Sequence, residues 1–431
     1  MRVLIIGAGT GGLALAHLLK YAGIEVAVFE RDAVPNADTG GYRVGISPAG
    51  TRALEACVPP ENFELYLATC ARPPRYFNLF TEHFAQVLSF DLTGAAAAMD
   101  GENNVIRRTL RRVLLRGLES EVSFGKRFVS YAHDTDGSVA AHFEDGSRAT
   151  GTVLVGADGT NSTVRKQRLP HARLEDTGMA SLGGKLAMTD RSRTLLTERM
   201  RYGMSMIFAP RGLGAIIHSL EFAQRRGDPG FAARWPDFVE ALDEDSIGWG
   251  LWGARRNFPC DPSPLSGPEL QHLALQLTHG WHPHLRELIR LTPPAAISSV
   301  AVRTSVPVQE WQSSNVTLLG DAIHTMTPGR GAGANTALRD AALLGRSLIE
   351  AHQGRRPLLQ AIHEFEVEMR RYSTEAVLAS RRQMNGSDPI HKPVIGRLQL
   401  AGMRGAMRVI NAVPALKRRV LQNIMRVRGE N

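Results

Sequence analysis

Glycines at positions 7, 9 and 12 end an apolar run, Val3–Ile6, and open a stretch of helix-forming residues. No other pattern in the chain restricts its folding so tightly. Residues 13–21 carry apolar side chains at helical spacing, Gly23 breaks the helix, and Ile24–Phe29 alternates as a strand does. The first thirty residues therefore read as strand, glycine turn, helix, strand, a βαβ unit with a right-handed crossover. In such a unit Gly7 permits the tight turn. Gly9 removes a side chain that would block a pyrophosphate, and Gly12 lets the helix lie close to the strand. Thr10 and Gly11 start the helix, whose free amides and dipole favour phosphate. Glu30 ends the second strand, where a carboxylate can accept hydrogen bonds from a ribose diol. Arg31, beside it, is grouped with the same site. The turn predicts dinucleotide binding but does not choose between dinucleotides.

Bulk properties narrow the class. The 431 residues are 43% hydrophobic and 22% charged, as in a globular protein with a sizeable core. No apolar run reaches the roughly 18 residues of a membrane span, and the first residues read as a strand and turn rather than a signal peptide; a cytoplasmic protein is expected. Cys57, Cys70 and Cys260 are odd in number and match no zinc spacing, so reduced thiols are expected. The 14 histidines include no convincing metal set, and no metal is expected. The net charge of +9 suits phosphate-bearing ligands. With aromatics at 6%, nucleic acid is not an expected partner.

Farther along, 32–50 reads as a long loop, with a helix near 50–56 and another over Arg107–Glu119. A hairpin turning at Asp145–Gly146 leads into Val153-Leu-Val-Gly-Ala-Asp-Gly159. Strand-like runs at 181–188, 204–209, 214–222, 247–253 and 297–306, with helical stretches near 231–243 and 267–291, suggest an inserted mixed sheet. A strand from Val316 then enters Gly320-Asp321-Ala-Ile-His324-Thr-Met-Thr-Pro328-Gly-Arg-Gly331-Ala-Gly333-Ala334-Asn335, followed by a helix to about Glu350 and another over 358–384. Ala95–Ala98 is the only low-complexity tract.

Asp158 sits in a turn held open by Gly156 and Gly159, where an aspartate either caps backbone amides or meets a cofactor. Asp321 follows a strand in a position suited to a hydrogen bond with a polyol chain. Pro328–Asn335 is a glycine-rich loop opening a helix, and its amides and dipole can stabilise negative charge. The spacing of Gly329, Gly331 and Gly333 does not fit a second G-x-G-x-x-G.

The glycine turn, the Asp158 segment and the Gly320–Asp340 segment, in this order and separation, resemble the three fingerprints of the single-component, FAD-dependent aromatic hydroxylases, the para-hydroxybenzoate hydroxylase type. The resemblance covers roughly residues 1–350 and implies a Rossmann-like α/β FAD-binding domain carrying an inserted mixed β-sheet. It also implies non-covalent FAD, NAD(P)H as co-substrate and molecular oxygen. A flavin C4a-hydroperoxide would hydroxylate or epoxidise an aromatic, polyketide or similar lipophilic small molecule, so no catalytic side chain is assigned. Gly7, Gly9, Thr10, Gly11, Gly12, Glu30, Arg31, Arg43, Arg107, Asp158, Gly320, Asp321, Pro328, Gly331, Gly333, Ala334 and Asn335 would form the cofactor site; Arg107 would reach the flavin from its helix start, and Arg43 stays open. His324 is expected to pack under the glycine loop.

Tyr202, Met204, Met206, His218, Trp249 and Trp252 lie on the inserted sheet, which in this architecture roofs the flavin, and as a set they favour a bulky apolar substrate. Two alternatives stay in view, a flavin-dependent reductase of a prenyl or polyketide substrate and a redox-silent flavoprotein. The Trp-x-Trp-x-Ile-Pro context of flavin halogenases is missing. The expected division is 1–175 with 305–350 for FAD, 176–304 for the sheet, and 351–431 for C-terminal helices, in a monomer or homodimer. The basic tail, with Met407, Ile410, Val413, Leu416, Val420 and Ile424 on one face, is expected to dock on the body rather than touch a membrane.

Overall fold

A computed structural model describes residues 1–35, 43–93, 102–224 and 227–429; Ala95–Ala98 and part of the 32–50 loop lie outside these. Apolar segments of four or five residues, Arg2–Ile6, Glu25–Phe29 and Val153–Gly156, are too short for helices and almost wholly buried. They form the centre of a five-stranded sheet whose order is Val316–Leu318, Val153–Gly156, Arg2–Ile6, Glu25–Phe29, Val122–Ser123. Every pairing in it is parallel, and continuous apolar strands belong in such doubly covered sheets. The helices Thr10–Tyr21 and Gly333–His352 pack against one another beside it.

The inserted sheet has seven strands, ordered Ile297–Ser305, Leu174–Ala187, Ser246–Ala254, Gly214–Leu220, Gly203–Phe208, Tyr76–Phe80, Gln86–Asp91. The last two come from within residues 1–175 and were not foreseen. Tyr76–Phe80 joins parallel to Gly203–Phe208, so no hairpin turn announces the pairing. Three smaller differences have local causes. The helix from Arg107 ends at Leu115, not Glu119, because Gly117 turns left-handed at φ 84°. Arg43–Ile46, read as loop, is a strand paired with Asn103–Ile106, and the following helix starts at Pro48 with Ser47 as its cap. The 267–291 stretch is two helices, Gly267–Leu277 and Pro283–Leu291.

Helices Ile395–Ala412 and Pro414–Gly429 close the chain. Met407, Ile410, Val420 and Ile424 pack against Leu79, Leu88 and Phe90 of the edge strands, whereas Val413 and Leu416 stay exposed. Among the described residues no helix is long and apolar enough to cross a membrane, and no group of acidic, histidine or cysteine side chains could hold a metal.

Burial separates the thiols. Cys57 and Cys70 are buried, which pushes both up to about 12, and Cys260 is exposed. The thiolate is the reacting form. Iodoacetamide is therefore expected to label one cysteine per folded chain and all three after denaturation, read by intact mass.

Candidate functional site

The glycine turn is built as its spacing requires. Gly7 has φ +111°, and a Cβ there would lie 2.4 Å from the Ala157 carbonyl oxygen. A Cβ on Gly12 would lie 2.2 Å from the Gly7 oxygen, and one on Gly11 2.8 Å from Leu319. Gly9 differs: its Cβ would meet nothing within 4 Å. Gly9 is also the N-cap of the helix beginning at Thr10, and no side chain caps that terminus. Open space beside uncapped amides fits a pyrophosphate. Glu30 is buried at the end of its strand and accepts from the amides of Ala8 (2.8 Å) and Asp32 (3.0 Å), bracing the turn. Arg111, buried beside it, lies 3.4 Å from Glu30 and 2.7 Å from Asp32. Arg31 is exposed.

Asp158 does what aspartates in turns commonly do. One oxygen accepts from the amides of Thr163 (2.7 Å) and Val164 (3.2 Å), capping the helix Thr163–Arg168. Its other oxygen, Oδ1, is buried with no hydrogen-bond partner among the described residues. Burial raises the carboxyl's affinity for a proton. Arg165 ties this turn to the third motif by donating to the carbonyls of Ala322 (2.7 Å) and Thr160 (2.9 Å).

The third motif is held from below. Gly320, at φ 62°, caps the short helix Asp321–His324. Its amide donates to Asp340 Oδ2 (2.7 Å), which also takes His324 Nε2 (2.6 Å), and Tyr372 Oη donates to Asp340 Oδ1. His324 is thus a buried support of this turn. Asp321 points the other way, 3.5 Å from where a Cβ of Gly333 would stand. Its carboxylate accepts no hydrogen bond from the described residues; burial raises its pKa, while His324 and Arg107 oppose that. An unclaimed, half-buried carboxylate fits a polyol. Arg107 occupies the first position of its helix and is exposed. Pro328 opens a single helical turn to Arg330, and Gly331 is left-handed at φ 63°. The helix from Gly333 and Ala334 has no side-chain cap. Asn335 is fully used by the protein: Oδ1 accepts from the Ser47 amide (2.8 Å), and Nδ2 donates to Gly45 (3.0 Å) and Gly331 (2.9 Å). It joins the glycine loop to the Arg43 strand. Arg43 itself donates to Asn104 (2.6 Å) and pairs with Glu102 (2.7 Å).

The seven-stranded sheet has two unlike faces. Met204, Met206 and His218, together with Trp252, fall on one by strand alternation and register. The Met384 side chain packs with Met179, Ala254 and Val302 on that face and lies 3.0 Å from where a Gly329 Cβ would be, so it spans from sheet to glycine loop. His218 is buried; desolvation first, then Arg43, holds its pKa well below the ordinary histidine value. Trp249 is three residues from Trp252 and therefore faces the other way. It is fully buried among Leu270, Leu273, Leu285 and Leu288 and donates to Thr292 Oγ1 (2.8 Å). Assigning Trp249 to a substrate cavity is corrected by strand periodicity. Tyr202 precedes its strand, capping the helix Glu198–Arg201, and is exposed rather than part of the sheet face.

Comparison with known proteins decides the cofactor. The chain matches the FAD binding domain family over residues 1–183 and 271–378, more than half its length. The chain belongs to this family of FAD-binding proteins. FAD is its cofactor. The dual O-methyltransferase/FAD-dependent monooxygenase CTB3 of Cercospora beticola is 35% identical over 389 residues, 85% of this chain and 44% of the relative. This flavoprotein thus spans under half the length of that relative. The FAD-dependent monooxygenase thnD of Trichoderma harzianum is 26% identical, over 90% of this chain and 94% of the relative. The structure of Klebsiella pneumoniae HpxO with FAD and uric acid superposes with a TM-score of 0.78 at 21% identity, covering 99% and 96% of the two chains.

Within this flavoprotein, Asp340, Arg165, Arg111 and Met384 are the residues that sequence reading missed. Asp340 lay inside the third motif, and an acid at a helical position facing an apolar core was the available signal. The two tryptophans give a direct check. Trp249→Ala empties a fully buried site and is expected to cost about 3–5 kcal/mol in urea unfolding. Trp252→Ala is expected to cost roughly 1–2 kcal/mol, since this ring is half-exposed.

Proposed function

We propose that this flavoprotein is an NAD(P)H-dependent monooxygenase that places one atom of O2 on an electron-rich, lipophilic small molecule of aromatic or polyketide type. The observation that carries this is the apolar sheet face of Met179, Met204, Met206 and Trp252, joined through Met384 to the glycine loop of the FAD site. Bound FAD, once reduced by NAD(P)H, supplies the oxygen-activating chemistry. The chain's part is to hold and to shield. The Gly9 turn, braced by Glu30, would seat the pyrophosphate, and the Asp321 carboxylate would accept from the ribityl hydroxyls. Uncapped amides at Gly333 and Ala334 would stabilise negative charge on the reduced cofactor. The sheet face excludes water and positions the substrate, with His218 kept neutral by its burial. Residues 176–304, together with 76–91, would form the substrate-binding part.

The test uses protein reconstituted with FAD. NAD(P)H oxidation is followed across a panel of phenols, naphthols and polyketides under labelled dioxygen. Substrate-stimulated oxidation with label in the product is expected. Stimulated oxidation without label in any product would turn the assignment to a reductase, and no stimulation by any panel member would overturn it.

A further inference from the structure

The C-terminal helices have a second face that the body of the protein does not use. Inward, Ile395–Ala412 buries Met407 and Ile410 on the edge strands, and Arg404 pairs with Glu82. Outward, Ile395, Leu398, Val409, Val413 and Leu416 are exposed, Leu398 at 71%. Their spacing keeps Ile395, Leu398 and Val409 on one side of the helix. Solvated surface helices normally turn charge outward there, so the stripe needs an occupant.

Charge identifies it. From Pro389 to Gly429 the sequence has no aspartate or glutamate. Lys392, Arg397, Arg408, Arg418 and Arg419 are all exposed. Arg397 and Arg408, eleven residues or three turns apart, run along one edge of the apolar stripe. A second copy packed through these helices would bring like charges together, with no acid on the helices themselves to offset them. An apolar stripe flanked by arginines, on helices without an acid of their own, is what an interfacial helix presents to anionic lipid.

We infer that the outer face of residues 392–419 seats this protein on anionic membrane surfaces. The inner face of these helices packs on the same Leu79, Leu88 and Phe90 cluster as Met206 and Phe208, and Arg404 donates to the Phe208 carbonyl, so the seat adjoins the edge of the sheet face described above. A lipophilic molecule dissolved in the bilayer would then have a short path to that face; this last step rests on the proposed substrate class, whereas the membrane seat itself does not.

The experiment is co-sedimentation of the FAD-loaded chain with vesicles of phosphatidylcholine alone and of phosphatidylcholine mixed with phosphatidylglycerol. Binding to the mixed vesicles, little binding to the neutral ones, and release by added salt are expected. R397Q/R408Q is expected to weaken binding to the mixed vesicles roughly 30-fold, from two cations near the surface. L398E/V409E is expected to abolish it with flavin content and Tm unchanged, because both side chains are exposed. Absence of binding to the mixed vesicles, or unaltered binding by L398E/V409E, overturns the inference. So does a concentration-dependent dimer that L398E/V409E dissociates, since the occupant would then be a second copy. Vesicle binding is read without turnover, so failure of the monooxygenase assignment would leave this result standing.

Discussion

Gly12→Ala is expected to lose both stability and flavin, whereas Gly9→Ala loses flavin alone. At Gly12 the new methyl would stand 2.2 Å from the Gly7 carbonyl oxygen, with Ile5 and Ala157 at 3.3 and 3.2 Å. All of these are core or turn atoms that cannot move without shifting the helix. Overpacking of this kind costs about 1–3 kcal/mol. The displaced turn would also no longer present its amides in register. At Gly9 the backbone is extended, with φ −85°, which any residue adopts, and nothing of the protein lies within 4 Å of the added methyl. The methyl enters only the volume assigned to the pyrophosphate, so affinity for FAD is expected to fall about 10–100-fold with unchanged stability of the flavin-free protein. Thermal unfolding of the apoprotein and FAD titration by quenching of flavin fluorescence separate the two. Wild-type FAD affinity in Gly9→Ala would show that the phosphates sit elsewhere.

Asp340→Ala is expected to destabilise the fold by about 3–5 kcal/mol, the range for stripping one partner from a buried charged network. Asp340 is fully buried, and the Gly320 amide, His324 and Tyr372 would all lose their acceptor. Flavin loss should accompany it, because Gly320 holds the turn that presents Asp321. The effect carries a pH signature. Burial pushes the His324 pKa down, but Asp340 and Asp321 outweigh it and the net direction is upward. A raised histidine pKa contributes stability that is fully present below its unfolded value of about 6.5 and lost as pH rises through the folded value. The gap between wild type and Asp340→Ala in urea unfolding should therefore be larger near about pH 6 than near about pH 9. A gap that widened with pH would contradict the charged pairing.

Much of this was legible in the sequence because it is local. The turn at Gly7–Gly12 is fixed by contacts among neighbours in one βαβ unit, and the order of the three motifs carried the cofactor. Legibility failed where a partner lay far along the chain. Tyr76–Phe80 finds its neighbour at Gly203–Phe208, with no turn residue to reveal it. Trp249 and Trp252 read as a pair in sequence, yet strand alternation puts them on opposite faces; which face is the core is decided by Gly267–Leu277 and Pro283–Leu291. Asp340 looked like an ordinary helix residue because its three partners come from Gly320, His324 and Tyr372, brought together only by packing.

The seven-stranded sheet draws Tyr76–Phe80 and Gln86–Asp91 from one stretch of chain and its other five strands from residues 174–305. Neither stretch alone supplies the complete sheet. Val316–Leu318, the last strand of the five-stranded sheet, comes in the chain only after all seven of these strands. The two layers are therefore interleaved in the gene, and neither can be cut out as one contiguous cassette. A chimera meant to transfer the proposed substrate preference from a relative must exchange 72–93 together with 174–305, and one that exchanges only the longer stretch would inherit a seam between the fifth and sixth strands of the sheet.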